Sequence, residues 1–337
     1  MPDSVASAHR GRRLPLHQYV EGVLAGDRVI LARAITLIES RLDADADLAA
    51  QLLDAILPHI GRTRRLGITG VPGVGKSTFV DSLGTHLTRE RGERLAVLSV
   101  DPSSPISRGS ILGDKTRMQR LALDDRAFIR PSPAAGHLGG VALRTREAIL
   151  LCEAAGYRNI FIETVGVGQS EIAVHSMSDF FLLLMLAGAG DQLQGIKRGI
   201  IEMIDAMAIN KADGDNVARA ERARAEYSSA LHLFAPSPEG WAPPVVCCSA
   251  LNGSGIAEIW QIVLDHEAQL EASGKFDERR TRGNLRWMHE LISGGLGEIL
   301  QSPAVAERLR ELEHQVSEGG ITPLAASRKL LSLFPRG

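Results

Sequence analysis

The stretch that decides the fold is Gly70-Val71-Pro72-Gly73-Val74-Gly75-Lys76-Ser77, which matches the pattern G-x-x-x-x-G-K-S/T in full. A short β-rich run precedes it and an amphipathic run follows it. Glycines let backbone N–H groups turn inward around phosphates, and the N-terminus of the following helix adds its positive dipole end. We expect Lys76 to bridge the β- and γ-phosphates and the Ser77 hydroxyl to bind Mg²⁺. The pattern therefore predicts a nucleotide site at Gly70, Val71, Pro72, Gly73, Val74, Gly75, Lys76, Ser77 and Thr78.

Around this loop, short β-rich runs alternate with helical runs. Such alternation predicts an α/β fold in which helices flank a mostly parallel central sheet, as in P-loop NTPases. Ligands of these folds bind at the carboxyl ends of the strands. The expected strands are 66–69, 95–100, 127–130, 160–163, 180–186, 206–210 and 245–248, and the expected helices between them include 76–89, 140–155 and 216–234.

Composition excludes several classes of protein. The 337 residues carry 38 Lys+Arg and 40 Asp+Glu, so the net charge of −2 and the 4% aromatic content argue against a nucleic-acid partner. The longest apolar run, 180–187, is too short to cross a membrane, and residues 1–13 lack the apolar core of a secretory signal. Three cysteines cannot form a disulfide framework, which favours a cytoplasmic location, or the mitochondrial matrix if the source is eukaryotic.

A second motif points to the base of the nucleotide. Asn210, Lys211 and Asp213 form an N-K-x-D pattern at the end of a predicted strand. The Asp213 carboxylate can accept hydrogen bonds from N1–H and the 2-amino group of guanine, with Asn210 at the opposite edge and the Lys211 stem along the ring. Asn and Asp after a strand are also common turn formers. Following a phosphate loop, the pattern predicts GTP or GDP, with a backbone N–H of the turn Ser249, Ala250 and Leu251 meeting guanine O6.

Three acidic residues are candidates for the γ-phosphate and metal region. Glu163 and Asp101 each end a predicted strand, and Asp114 lies in the following loop, where it is also a candidate helix cap. Mg²⁺ prefers one or two carboxylates together with phosphate and water. We expect Lys76, Asp101, Asp114 and Glu163 to be catalytic and Ser77, Asp101 and Glu163 to hold Mg²⁺. Val167 stands where many signalling GTPases have a glutamine that orients the attacking water. The hypothesis is therefore that the protein alone hydrolyses GTP slowly and that a partner accelerates the reaction.

Five separated motifs together closely resemble the MeaB/ArgK/MMAA family of P-loop GTPases. The resemblance covers roughly residues 16–272. The motifs are GVPGVGKST at 70–78, VDPSS at 100–104, GSILGDKTRM at 109–118, ETVGVGQSE at 163–171 and AGDQLQGIK at 189–197.

The resemblance implies a homodimeric chaperone of adenosylcobalamin-dependent acyl-CoA mutases, chiefly methylmalonyl-CoA mutase. Such a protein uses GTP binding and hydrolysis to gate cofactor loading and to help eject damaged cofactor. The implied switches are 101–118, 163–175 and 188–197. Candidate switch and coupling residues within them are Gly166, Gln169, Asp191, Gln192 and Lys197.

The expected domains are an N-terminal helical segment at 1–60, a P-loop GTPase domain at 61–273 and a C-terminal helical dimerisation arm at 274–337. The polar stretch 274–282 reads as a hinge before this arm. A metal-insertion GTPase of the same class is an alternative, although the ten histidines are scattered. A P-loop kinase is another, and the guanine motif argues against it.

Overall fold

The computed structural model describes residues 13–40, 42–100, 117–131, 138–164, 170–188, 198–232, 240–300 and 302–334. Within these ranges, seven strands form one sheet in the order β3-β2-β4-β1-β5-β6-β7, and every neighbouring pair is parallel. This confirms the predicted parallel α/β sheet. The strands are β1 (Arg64–Gly70), β2 (Leu95–Val100), β3 (Ala127–Arg130), β4 (Asn159–Thr164), β5 (Phe180–Leu186), β6 (Ala206–Asn210) and β7 (Val245–Cys247).

Helices cover both faces of the sheet. Alternate residues of one strand belong to different cores: Phe181 and Leu183 pack on one face, whereas Phe180 and Leu182 pack on the other. Burial on both faces explains why these strands are continuous apolar runs. The helices are α1 (Leu16–Leu24), α2 (Arg28–Ile38), α3 (Asp43–Ile56), α4 (Lys76–Thr85), α5 (Gln119–Ala122), α6 (Leu138–Ala154), α7 (Ser170–Met177), α8 (Arg198–Ile201), α9 (Val217–Leu231), α10 (Ile256–Ala272), α11 (Lys275–Leu300), α12 (Pro303–Ser317) and α13 (Pro323–Leu331).

The first three helices share a core with the sheet. Asp27 caps α2 by accepting hydrogen bonds from the N–H groups of Val29 and Ile30 at 2.7 and 3.1 Å. Leu31 and Ile35 of α2 are fully buried in the cluster that also contains Ile160 of β4. Residues up to Arg280 accordingly form one compact unit. The boundaries at 60 and 273 stay a prediction.

The stretch 274–282, expected as a hinge, is helical from Lys275 onward, where α11 begins. The boundary between the two compact units, after Arg280, falls within this stretch. Only Ser273 and Gly274 separate α11 from α10, and Gly274 has φ +68°. Acidic residues Asp277 and Glu278 occupy the first turn of α11 and favour its N-terminus. The polar composition of this stretch is therefore that of a helix start, and its role as a hinge stays a prediction.

Residues from Thr281 onward form a second compact unit. Within it, α12 packs on α13, and Thr322 caps α13 by accepting a hydrogen bond from the N–H of Ala325 at 3.2 Å. An apolar stripe on α11, formed by Leu285, Met288, Leu291 and Ile292, is 41–53% exposed. Among the helices described, none has the length and apolarity needed to span a membrane.

Candidate functional site

The phosphate loop joins the end of β1 to the start of α4, as its sequence predicts. Gly70 has φ +152°, and a Cβ there would lie 2.5 Å from the carbonyl oxygen of Leu184 on β5. Gly75 has φ +94°, and its Cβ would lie 3.0 Å from Nδ2 of Asn210. Both positions therefore require glycine, because of backbone conformation and because of close neighbours.

Lys76 folds back over this loop. Its Nζ donates hydrogen bonds to the carbonyl oxygens of Gly70 at 2.6 Å and Val71 at 3.3 Å. Burial lowers the pKa of the Lys76 ammonium, and the negative charges of Glu163 and Glu171 oppose that shift. The ammonium thus lies at the loop, where the charges of two carboxylates act on it. Ser77 and Thr78 occupy the first turn of α4 beside it.

Glu163 lies near the end of β4, which pairs with β1 so that Glu163 is opposite Ile68. Its side chain is only 2% exposed and accepts a hydrogen bond from the Ser99 hydroxyl of β2 at 3.0 Å. A carboxylate at the end of a buried strand needs such partners. The fold therefore brings Glu163 into the electrostatic neighbourhood of Lys76, as the sequence predicted.

Glu171 is a site residue that sequence reasoning missed. It lies in the first turn of α7, which packs against β1 and β4, and it is 6% exposed. Burial lowers the pKa of Lys76, and the negative charge of Glu171 opposes that shift, as the charge of Glu163 does. The available signal is that Glu171 is the acidic residue that ends the motif at 163–171, a segment that the family resemblance assigns to a switch.

The base motif is tied directly to the phosphate loop. Asn210, 1% exposed, donates from Nδ2 to the carbonyl oxygen of Val74 at 2.8 Å and accepts at Oδ1 from the N–H of Ala250 at 3.1 Å. Lys211 donates from Nζ to the carbonyl oxygen of Gly73 at 2.8 Å. The Asn210 amide therefore bridges two loops, and its expected place at the edge of the base stays a prediction.

Lys211 adopts an unusual backbone conformation with φ +60°. Its carbonyl oxygen accepts a hydrogen bond from Nδ2 of Asn216 at 2.7 Å, which holds the turn after β6. Such left-handed conformations are uncommon outside glycine, asparagine and aspartate, and they concentrate at functional sites. The turn directs the Lys211 side chain back to the phosphate loop while Asp213 follows two residues later.

Asp213 is oriented by the last strand's turn. Its Oδ2 accepts a hydrogen bond from the hydroxyl of Ser249, which is fully buried. The N–H of Ala250 is engaged by Asn210. Leu251, the third residue of the predicted turn, is 80% exposed. The two motifs, 36 residues apart in sequence, thus form one site through the Ser249–Asp213 and Ala250–Asn210 contacts.

Several predicted residues lie outside the described part of the chain. They comprise two acids, two members of the second switch and three of the third: Asp101, Asp114, Gly166, Gln169, Asp191, Gln192 and Lys197.

Comparison with known proteins places this site in a family. Residues 31–303 match the family model described as methylmalonyl Co-A mutase-associated GTPase MeaB. GTPase ArgK of Escherichia coli is 50% identical over 275 residues, which are 82% of this chain and 83% of that protein. The mitochondrial methylmalonic aciduria type A homolog of Mus musculus is 47% identical over 324 residues, covering 93% of this chain and 78% of that protein.

The fold is also similar to that of a solved structure. A crystal structure titled LAO/AO transport system kinase superposes with a TM-score of 0.76 at 38% identity, covering 96% of this chain and 99% of that one. The sheet order, the phosphate loop and the matched 31–303 region agree in pointing to one class of nucleotide hydrolase. The chain is therefore a P-loop GTPase and a member of the MeaB family of methylmalonyl-CoA mutase-associated GTPases.

Proposed function

We propose that the chain binds GTP between the phosphate loop and the N-K-x-D turn, hydrolyses it to GDP and phosphate, and serves as a chaperone of an adenosylcobalamin-dependent acyl-CoA mutase. The observation that carries the nucleotide proposal is the pair of links from Asn210 to Val74 and from Lys211 to Gly73. A binding module for phosphate alone has no use for such links. They set the distance between a phosphate site and a base site, as one nucleotide requires.

At the phosphate end, Lys76 is the cation that contacts the β- and γ-phosphates. In the structure its Nζ is held by two carbonyl oxygens of the loop, so binding needs only an exchange of these acceptors for phosphate oxygens. The charges of Glu163 and Glu171 favour the protonated amine despite its burial. A protonated Lys76 is the form that stabilises charge developing on the transferred phosphoryl group.

The donor set at the loop fits Mg²⁺. A hydroxyl on the first turn of α4, Ser77, and a buried carboxylate at the end of β4, Glu163, are hard oxygen ligands of the kind that Mg²⁺ takes together with phosphate and water. We assign these two residues to the metal, with Asp101 and Asp114 as sequence-based candidates. When bound, Mg²⁺ supplies neutralisation of the phosphate charge.

At the base end, Asp213 is the residue that selects guanine. Ser249 occupies Oδ2 of its carboxylate and thereby fixes the plane of the group. A fixed carboxylate accepts from N1–H and the 2-amino group of guanine, and adenine offers neither donor in that arrangement. Buried hydrogen-bonding groups that a wrong ligand leaves unpaired give strong discrimination.

The proposed client follows from the family. The family description names an association with methylmalonyl-CoA mutase, and the mouse relative is named for methylmalonic aciduria. We propose that segments 101–118, 163–175 and 188–197 report the nucleotide state to such a mutase and so gate its adenosylcobalamin. We also propose that the exposed stripe Leu285, Met288, Leu291 and Ile292 lies in a homodimer interface.

The test is GTP turnover by the purified protein, alone and with methylmalonyl-CoA mutase and related acyl-CoA mutases in apo and cofactor-loaded forms. We expect slow turnover alone and faster turnover with the client. A variant Lys76→Ala serves as the control for contaminating hydrolase activity. Absence of stimulation by every mutase would refute the chaperone role and leave the GTPase intact, and transfer of the γ-phosphate to a protein would favour a kinase instead.

A further inference from the structure

Cys248 is a buried residue that contacts Asn210 of the base motif. It follows β7 directly and is 1% exposed. Its Sγ–H donates to Oδ1 of Asn210 with a sulfur–oxygen distance of 3.6 Å. Burial raises the pKa of the Cys248 thiol to about 12, so that the thiol keeps its proton and remains a donor at neutral pH.

The contact bears on the orientation of the Asn210 amide. Oδ1 of Asn210 receives two donors, the thiol of Cys248 and the N–H of Ala250, while Nδ2 faces the carbonyl oxygen of Val74. Turning the amide by 180° would place an NH₂ group against two donors and an oxygen against a carbonyl oxygen. All three contacts would then be lost, so together they select one orientation.

We propose that Cys248 is a positioning residue for guanine-nucleotide binding: its thiol holds the Asn210 amide in the orientation that links the base motif to the phosphate loop. Cys248 itself touches no nucleotide. The inference rests on the guanine site proposed above and adds a third residue to the support of Asn210, beyond Ala250 and Val74.

The hydrogen-bonding role of Cys248 has to be distinguished from a role in apolar packing. Cys248 also belongs to the apolar cluster that includes Val246, Ile256 and Ile259, and a Cβ on Gly255 would lie 3.1 Å from Cys248. Thiols in such places often act as small apolar side chains. Truncation alone would therefore remove both the donor and the packing, and it would not distinguish the two roles.

Threonine and valine make the distinction, because they have the same branched shape and differ in one hydroxyl. Cys248→Thr and Cys248→Val are compared in the rate of fluorescent GDP dissociation and in the preference for GTP over XTP. We expect Cys248→Thr to stay within about twofold of wild type, whereas Cys248→Val releases GDP about three to tenfold faster, as loss of one hydrogen bond predicts. Equal rates for the two variants would overturn the proposal.

Cys248→Ser and Cys248→Ala repeat the comparison with smaller side chains, should the branched pair not fold. Cys152, a fully buried thiol on α6, is the matched control, since Cys152→Ser and Cys152→Val should leave GDP dissociation unchanged. Asp213→Asn in the same assay keeps the two proposals apart. If Asp213→Asn loses its preference for guanine while Cys248→Thr and Cys248→Val release GDP at equal rates, Cys248 has no positioning role. If Asp213→Asn keeps its selection, the guanine site itself is wrong.

Discussion

Replacing Asn210 with alanine should destabilise the protein even without nucleotide. The change deprives the carbonyl oxygen of Val74 and the N–H of Ala250 of their hydrogen-bond partner. These residues are 0% and 3% exposed, so solvent replaces the lost partner poorly. Leaving a buried polar group unpaired costs about 1–3 kcal/mol. Two such groups imply a loss of about 2–6 kcal/mol in the free energy of unfolding, or roughly 3–10 °C in Tm for a unit of this size.

Thermal unfolding of nucleotide-free protein, followed by circular dichroism, measures this loss. Asn252→Ala is the matched control, because Oδ1 of the exposed Asn252 accepts only from the N–H of Ser254 at 2.9 Å and water can take its place. We expect that control to unfold within about 0.5 kcal/mol of wild type. An Asn210→Ala protein that unfolds at the wild-type temperature would refute the bridging role of the amide.

Three further predictions concern charged side chains. Lys76→Ala should abolish GTP hydrolysis, measured as phosphate release, with an unchanged circular dichroism spectrum, because its present hydrogen bonds go only to two loop carbonyls; residual hydrolysis at the wild-type rate would contradict this. Glu171→Gln removes a charge that raises the pKa of Lys76, so that the pKa falls further and the alkaline limb of the pH–rate profile moves to lower pH; an unmoved limb would exclude the coupling. Arg280→Gln leaves Asp179, 13% exposed in its side chain, without the guanidinium that contacts it at 2.7 Å, and should cost about 3 kcal/mol of stability at pH 7. Burial alone would raise the pKa of Asp179, but Arg280 holds that pKa below its ordinary value. The ion pair therefore stabilises the fold fully above the pKa that Asp179 has in the unfolded chain, and this stabilisation is lost as the pH falls through the pKa that Asp179 has in the folded protein. The difference in Tm between wild type and Arg280→Gln should therefore narrow on acidification, and a difference that widens would contradict the assignment.

The sheet was predictable from sequence to within one or two residues at most strand ends. Four strands, β2, β3, β5 and β6, begin and end where their apolar runs do. The reason is physical: a strand buried on both faces has to be apolar throughout, and polar or turn-forming residues mark its limits. The phosphate loop was equally readable, because its glycines are required by local backbone geometry.

Contacts between distant segments were not predictable in this way. Asn210 and Val74 are 136 residues apart, and no local pattern indicates that the amide of one satisfies the carbonyl of the other. The same holds for the start of α11, where the polar, arginine-rich composition suggests a hinge and does not indicate any partner for the arginines. Arg279 and Arg280 instead reach Asp205 and Asp179 at 3.5 and 2.7 Å, at the N-terminal ends of β6 and β5. Their partners become apparent only once the sheet is assembled.

The central claim is that this P-loop GTPase recognises guanine through Asp213 in the turn after β6. The nucleotide preference of the Asp213→Asn variant tests this claim most directly. Equilibrium binding of GTP and XTP is measured for wild type, for Asp213→Asn and for Asp215→Asn, whose exposed carboxylate two residues later makes it the control. We expect Asp213→Asn to lose affinity for GTP by about a hundredfold or more and to gain affinity for XTP, while Asp215→Asn matches wild type. An unchanged GTP affinity in Asp213→Asn would contradict the account.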